Sequence, residues 1–267
     1  MPTKKGSTGI EWFYEVEGGG ETLLFLHGWG VDRRIWRQQT KHFCESYQVI
    51  SIDLPGHGQS SFVHVSMEEM VKDIGVILND LGLDNITLIG SSLGGLFGLK
   101  LYSTIPEKFK RLVFVGSMPK FSQSEDYPYG LDIKRIRKLN GQLDTAYPSI
   151  VDIFFRSLFT QEERESRRFK WLQKFRKTDS KPIKKALAEY LSIMEKEDLR
   201  QELRKVTVPM QFINGREDQI CCAKTTAYLQ GILPHARFDF FENCGHFPFL
   251  SKPYEFNEML ERFLKET

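Results

Sequence analysis

The chain has 267 residues, of which 40% are apolar and 27% are charged, and its formal net charge is +2. This composition excludes a disordered or fibrous protein, and the length suffices to bury the core of one large domain or two small ones. The longest apolar runs are about four residues long. A helix that crosses a bilayer needs roughly 20, so we expect no membrane segment.

The N-terminal region and the cysteines indicate a cytoplasmic protein. Two lysines near the N-terminus are followed by no apolar block, so the sequence predicts no secretory signal. Four cysteines are too few for a disulfide framework in a chain of this length, and their spacing matches no zinc site. We therefore expect reduced thiols.

Strand-like and helix-like segments alternate along most of the chain. The predicted strands are Glu11–Val16, Thr22–Leu26, Val49–Leu54, Ile86–Ile89, Arg111–Val115, Met210–Ile213 and Arg237–Phe241. The predicted helices are Ile35–Ser46, Met67–Leu81, Leu93–Ile105, Ala223–Leu233 and Pro253–Lys265. Several strands are apolar at consecutive positions, which is typical of burial on both faces. The pattern predicts an α/β fold with a mostly parallel central sheet flanked by helices.

One segment interrupts this alternation, because residues 119–206 contain helical, charge-rich sequence and no convincing strand. A stretch of this length is too long for a loop in a compact domain. We predict a helical lid at 119–206, inserted into a core domain formed by 1–118 and 207–267. Between Lys134 and Lys185 there are 15 basic and 6 acidic residues. This excess can mark an anionic partner, although charge alone favours a solvated helical surface.

The strongest local motif is Gly90-Ser91-Ser92-Leu93-Gly94, between a predicted strand and a predicted helix. A G-x-S-x-G sequence in this context is typical of a nucleophile elbow, a strained turn that exposes the serine hydroxyl above the sheet. The small residues on either side let neighbouring backbone approach closely. Ser92 is therefore the predicted nucleophile, and Ser91 is expected to be structural.

A serine hydroxyl needs a base to accept its proton and an acid to orient that base. Among six histidines, His246 follows the last predicted strand, at the sheet edge where Ser92 should emerge. Asp218 and Glu217 compete for the acid position after strand Met210–Ile213, and Asp218 is preferred. The order serine, aspartate, histidine is the order expected of α/β-hydrolases.

A tetrahedral anion needs at least two hydrogen-bond donors. The backbone N–H of Leu93, at the start of the helix, is the first expected donor. Strand Thr22–Leu26 ends in His27-Gly28-Trp29-Gly30, whose glycines permit a tight turn. The N–H of Trp29 is the expected second donor, and its indole should form a wall of the pocket. Such a site needs no metal or cofactor, and the histidines show no ligand spacing such as H-x-x-x-H.

Together, the His27–Gly30 turn, the Asp53…Gly56-His57-Gly58-Gln59-Ser60 loop, the Gly90–Gly95 elbow, Gly215…Asp218 and Gly245-His246 resemble the α/β-hydrolase superfamily from end to end. Within it the chain is similar to the pimeloyl-acyl-carrier-protein methyl ester esterases of biotin synthesis. The segments Ser117–Ser122, Asp198–Arg200 and His246–Phe249 also carry this similarity.

The resemblance implies that Ser92, Asp218 and His246 form a catalytic triad and that Trp29 and Leu93 bind the ester carbonyl. It also implies an acyl channel lined by Phe154, Phe155, Arg156, Ser157 and Leu158. The expected substrate is a small ester, carried on an acyl-carrier protein that docks on the basic lid through arginines such as Arg164, Arg167 and Arg168. We expect a monomer that binds neither nucleic acid nor membrane. The family usually has tryptophan before the nucleophile, whereas this chain has Ser91, which would reshape the pocket.

Other functions share these residues. A general short-chain carboxylesterase, a menaquinone-type lyase or a carbon–carbon bond hydrolase would use the same triad, and only substrate assays separate them. Dehalogenases and epoxide hydrolases of this fold have aspartate at the elbow, so Ser92 argues against both. A non-catalytic binding protein is disfavoured, because all three triad positions carry catalytic residue types.

Overall fold

The computed structural model describes residues 3–176 and 181–267. Its strands are β1 (Thr3–Lys5), β2 (Glu11–Glu17), β3 (Thr22–Leu26), β4 (Gln48–Ile52), β5 (Ile86–Ser91), β6 (Phe109–Val115), β7 (Met210–Gly215) and β8 (Arg237–Phe241). They form one sheet in the order β1-β2-β4-β3-β5-β6-β7-β8. The pairs β1–β2 and β2–β4 are antiparallel, and all other pairs are parallel. The predicted α/β class with a mostly parallel sheet is confirmed.

The helices of the described residues cover this sheet. They are α1 (Arg37–Phe43), α2 (Met67–Asp80), α3 (Leu93–Thr104), α4 (Ile133–Ala146), α5 (Ser149–Ser157), α6 (Gln161–Glu165), α7 (Arg167–Arg176), α8 (Lys184–Lys196), α9 (Arg200–Arg204), α10 (Ala223–Ile232), α11 (Pro248–Ser251) and α12 (Pro253–Glu266). Every residue of β3 and β5 is buried, as expected for central strands covered on both faces.

The structure departs most from the predicted elements at two places. The edge strand β1 was not predicted, because its sequence Thr-Lys-Lys is polar and partly exposed and gives no apolar alternation. The predicted helix Ile35–Ser46 is a 3₁₀ turn at Arg33–Trp36 followed by the shorter α1. Asp32 caps that turn by accepting a hydrogen bond from the Arg34 N–H, so the helical region begins earlier than predicted.

Helices α4 to α9 lie between β6 and β7, in the segment predicted to be inserted. We call residues 119–206 the insertion. Its described residues include two isolated β-bridges besides these helices. Several hydrogen bonds attach α8 to the core. Among them, the Trp29 indole N–H donates to the Leu187 carbonyl at 3.0 Å, and the Tyr190 hydroxyl donates to the Pro55 carbonyl at 3.1 Å. Across residues 3–176 and 181–267, no helix combines the length and apolar character needed to cross a membrane.

Candidate active site

Ser92 occupies a strained turn between β5 and α3. Its φ of 52° and ψ of −120° lie in a region that few non-glycine residues adopt, and strain of this kind is concentrated at functional sites. The turn is held in place because the Ser92 N–H donates to the Val115 carbonyl at 2.9 Å and the Ser117 hydroxyl donates to the Ser92 carbonyl at 2.7 Å. The Ser92 side chain is thereby presented at the carboxyl edge of the sheet.

The glycines of the elbow are required by close backbone contact. A β-carbon on Gly90 would lie 2.6 Å from the backbone nitrogen of Gly95, and one on Gly94 would lie 2.6 Å from the His27 carbonyl oxygen. Real β-carbons do not approach backbone this closely, so only glycine lets the strand, the turn and α3 pack together here. The same contact brings the end of β3 beside the elbow.

His246 and Asp218 form a buried pair. The imidazole Nδ1 lies 2.8 Å from Asp218 Oδ2, and the two side chains are 2% and 0% exposed. Because a carboxylate only accepts hydrogen bonds, Nδ1 carries the proton and Nε2 is left as the acceptor. The second oxygen of Asp218 accepts from the Ile220 N–H at 2.7 Å, which fixes the carboxylate. Glu217, the competing acid, is exposed and does not pair with His246.

The turn that contains Trp29 lies directly against the elbow. A β-carbon on Gly28 would be 3.3 Å from Ser92 Cβ and 4.0 Å from its hydroxyl oxygen. Within the described residues, the backbone N–H groups of Trp29 and Leu93 donate to no protein acceptor. Both groups are therefore available to an anion formed next to Ser92.

Two buried, neutral histidines hold this turn. His27 accepts the Leu54 N–H on Nε2 and donates from Nδ1 to the Gly28 carbonyl, each at 2.8 Å. His57 accepts the Gly30 N–H on Nε2 at 3.2 Å. Burial lowers the pKa of His27, and it lowers the pKa of His57 to about 3. Desolvation disfavours the imidazolium, so both rings remain neutral acceptors at physiological pH.

A pocket of about 430 Å³ opens beside Ser92 and His246. Its remaining walls come from the Trp29 turn, the Asp218 loop and the insertion, and most of the lining is apolar. Besides Ser92 and His246, the lining residues are Trp29, Leu131, Arg135, Ile136, Lys138, Leu139, Gln142, Ile150, Ile153, Phe154, Ser157, Leu158, Leu191, Met194, Gln219, Ile220 and Phe247. The pocket suits an extended apolar chain with a polar group at its mouth.

The predicted channel residues divide into two groups. Phe154, Ser157 and Leu158 line the pocket, but Phe155 and Arg156 do not. The ring of Phe155 packs near Phe159, Phe169 and Phe247, at centroid distances of 5.1–6.4 Å, and the Arg156 guanidinium lies over Phe169. Consecutive residues of a helix point in different directions around its axis, so the five residues 154–158 cannot all face the pocket. The phenylalanines of the insertion thus form mainly its own core, while the side chain of Phe175 lies outside the described residues.

The arginines expected to dock a carrier protein differ in their surroundings, since Arg167 is exposed whereas Arg164 and Arg168 are partly buried. Arg164 donates to the Phe159 carbonyl at 3.0 Å, and Arg168 donates to the Leu250 carbonyl at 2.8 Å. Both guanidinium groups therefore support backbone. Arg135 and Lys138 of α4 are exposed at the pocket instead, one helical turn apart.

Sequence analysis assigned no role in the site to three further residues. Gly116 lies against the His246 ring, Ser117 anchors the elbow, and His57 supports the Trp29 turn. The turn Gly116-Ser117 directly follows β6, and side chains at the carboxyl ends of parallel strands are the signal that could have indicated it. Among the described residues, no group of three or more histidine, cysteine or acidic side chains could hold a metal ion.

Comparison with known proteins agrees with this geometry. The family model described as the alpha/beta hydrolase fold matches residues 21–253. The pimeloyl-[acyl-carrier protein] methyl ester esterase of Nitrosomonas europaea is 31% identical over 91% of this chain and 95% of its own. Its counterpart from Legionella pneumophila strain Paris is 29% identical over 94% and 98%. A solved esterase from Exiguobacterium antarcticum, 26% identical, superposes with a TM-score of 0.89 over 98% of each chain. The chain belongs to the α/β-hydrolase family.

Proposed function

We propose that this protein is a serine carboxylesterase that hydrolyses the methyl ester of an acyl chain, with Ser92 as nucleophile, His246 as general base and Asp218 as the acid that orients it. One observation carries the proposal: the buried Asp218–His246 pair and the strained Ser92 face one largely apolar pocket. The chemistry follows from the roles that each group can fill.

Acylation begins when Ser92 Oγ attacks the ester carbonyl carbon and its proton passes to His246 Nε2. The negative charge that develops on the carbonyl oxygen is stabilised by the N–H groups of Trp29 and Leu93. The carbon–oxygen bond to the alcohol then breaks, and His246 returns its proton to the departing alkoxide. The products of this half-reaction are methanol and an acyl-Ser92 ester.

Deacylation repeats these steps with water. His246 accepts a proton from the water molecule as its oxygen attacks the acyl carbon, and the same two N–H groups stabilise the second anion. When the bond to Ser92 Oγ breaks, the proton on His246 returns to the serine. The carboxylic acid is released and the enzyme is regenerated.

The substrate we propose is a pimeloyl-type methyl ester linked to an acyl-carrier protein, as the names of the relatives from Nitrosomonas europaea and Legionella pneumophila suggest. The apolar walls of the pocket would hold the methylene chain, and burial of each methylene contributes about 0.8 kcal/mol. Arg135 and Lys138 would meet the acidic carrier at the mouth. The reaction would then be a step of biotin synthesis.

The decisive experiment compares methyl esters of increasing chain length, each as a free ester and as a carrier-protein conjugate. We expect kcat/KM to rise with length until the pocket is full and to be highest for the conjugate. Equal rates on free and conjugated esters would instead identify a general carboxylesterase, the second candidate, which the similarity to the Exiguobacterium antarcticum esterase favours. Failure of a fluorophosphonate probe to label Ser92 would exclude both.

A further inference from the structure

The backbone of the loop that carries His246 donates two hydrogen bonds to the insertion. The His246 N–H donates to the Leu158 carbonyl at 2.8 Å, and the Gly245 N–H donates to Glu163 Oε2 at 3.0 Å. Asp218, by contrast, is hydrogen-bonded to the imidazole ring of His246. Residues of the insertion therefore position the backbone of His246, whereas Asp218, in the loop after β7, orients its ring.

The buried Glu163 carboxylate takes part in a helix cap as well as in the contact with Gly245. Its Oε2 also accepts the Thr160 N–H at 2.6 Å, while Thr160 Oγ1 accepts the Glu163 N–H at 3.1 Å, which completes a capping box at the start of α6. In the described part of the chain no lysine, arginine or histidine forms an ion pair with Glu163. Its Oε2 therefore accepts two backbone N–H groups, one of which belongs to the residue before the base, whereas its buried Oε1 accepts no hydrogen bond from the described residues.

Gly245 is closely packed against the insertion. A β-carbon on Gly245 would lie 3.1 Å from Glu163 Oε2 and 3.1 Å from the α-carbon of Phe159, and closer still to the Leu158 carbonyl. Backbone of the loop and backbone of the insertion are in direct contact. A change in the position of residues 158–163 therefore displaces Gly245 and His246.

We propose that Glu163 is a positioning residue for His246, an inference that rests on the proposed function of the triad. Leu158 belongs to the same short segment and also lines the acyl pocket. The segment that contacts the acyl chain thus also fixes the general base. Displacement of a catalytic group by about 1 Å can lower the rate about a hundredfold, so removal of this hydrogen bond should reduce turnover rather than substrate binding.

The test is Glu163→Ala, assayed on a small ester. We expect kcat to fall about tenfold to a hundredfold with KM nearly unchanged, and labelling of Ser92 by a fluorophosphonate to slow in parallel. Glu163→Gln, whose amide oxygen can accept both N–H groups, should restore kcat to within a few-fold of the wild type. A role in folding alone would not produce this separation of kcat from KM with recovery by glutamine.

Two controls remove the capping contribution. Glu69 completes a similar capping box, with Ser66 at the start of α2, and is exposed and does not line the pocket. Glu69→Ala therefore measures the cost of losing a capping carboxylate. Thr160→Ala removes the capping hydroxyl of α6 but leaves Glu163 against Gly245. Glu69→Ala should keep the wild-type kcat in the folded fraction, which a thermal melt quantifies, and Thr160→Ala should lower kcat much less than Glu163→Ala does.

The outcomes are distinguishable. If Glu163→Ala lowers kcat no more than Glu69→Ala does, or if Glu163→Gln is as slow as Glu163→Ala, the proposal is wrong. Should the alanine variant not fold, Glu163→Asp is one methylene too short to reach both N–H groups and must show the same loss of kcat. A wild-type enzyme that neither hydrolyses esters nor labels at Ser92 would instead refute the proposed function itself.

Discussion

The backbone of Gly116 lies directly against the imidazole of His246. A β-carbon on Gly116 would come within 2.9 Å of both Cε1 and Nδ1 of that ring, and Gly116 has a φ of +54°. Gly116 follows β6, the strand whose last carbonyl accepts the Ser92 N–H. The positions of Ser92 and His246, the proposed nucleophile and base, are therefore both set by the end of this one strand.

The first prediction follows from this contact. Gly116→Ala should lower kcat at least tenfold, because the added methyl group pushes the imidazole away from Asp218. Gly82→Ala is a matched control, since Gly82 also has a positive φ of +63° but has nothing within 4 Å of its would-be β-carbon. Both variants should lose about 1 kcal/mol of stability from backbone strain. Full activity in Gly116→Ala would contradict the role we give to this contact.

The second prediction concerns acid sensitivity. Burial lowers the pKa of His57 from 6.5 to about 3, so between these values the unfolded chain binds a proton that the folded chain does not. The contribution of His57 to the free energy of unfolding should therefore fall by about 1.4 kcal/mol for each pH unit below 6.5, until pH 3 is reached. Above pH 6.5 this contribution is fully present and constant.

His57→Gln isolates that effect. The glutamine oxygen can still accept the Gly30 N–H, but it does not titrate in this range. Denaturant unfolding of both proteins at several pH values should show a shallower dependence for the variant between pH 6.5 and pH 3. Identical slopes would mean that His57 does not contribute to the acid sensitivity of the fold.

The sequence indicated where the candidate site residues lie far better than which side chains line the pocket. Ser92, Asp218, His246 and Trp29 could be placed because each follows a strand, and parallel strands bring their carboxyl ends to one edge. No comparable rule exists for a helical insertion. Which face of α5 turns toward the pocket depends on packing against other helices, so Phe155 and Arg156 were assigned to a channel that they do not line.

The charges of the insertion show the same limit. Sequence composition reveals that the segment is basic, but it does not show that Arg164 and Arg168 donate to backbone carbonyls while Arg135 and Lys138 remain exposed at the pocket. Those hydrogen bonds join residues that tertiary folding brings together. Local patterns therefore predicted the excess of charge but not which basic side chains lie at the pocket.

The third prediction separates the two candidate acids. Asp218→Asn should lower kcat by up to about 10⁴, because the amide favours the wrong tautomer of His246. Glu217→Gln makes the same chemical change at the neighbouring, exposed position and should leave kcat within about twofold, as surface substitutions usually do. Steady-state assays on one ester suffice for the comparison. Equal losses in the two variants would remove Asp218 from the triad.

The fourth prediction concerns chain length. Leu139 and Met194 line the pocket from α4 and α8. Replacing Leu139 with tryptophan adds bulk to the wall, so the preferred acyl chain should become shorter by several carbons, while activity on acetate esters remains near that of the wild type. A chain-length series measured by kcat/KM gives the result. An unchanged profile would show that the acyl chain does not enter this pocket.

The last prediction tests the carrier protein as the partner. Arg135 and Lys138 are exposed at the pocket mouth, where positive charge would attract an acidic carrier and accelerate association. The double reversal Arg135→Glu with Lys138→Glu should lower kcat/KM for a carrier-bound ester at least tenfold and leave a small neutral ester unaffected. Raising the ionic strength should reproduce part of that loss in the wild type, because the screening length is about 8 Å at 0.15 M salt.

The matched control is Lys170→Glu with Lys174→Glu. Both lysines are exposed on α7 of the same insertion, and neither lines the pocket, so the net charge changes equally but away from the mouth. We expect little effect on the carrier-bound ester. If this control is as slow as the reversal at Arg135 and Lys138, only the overall charge matters and α4 is not the docking surface. If neither double variant discriminates between the two substrates, the carrier is not the partner, and the enzyme acts on free esters.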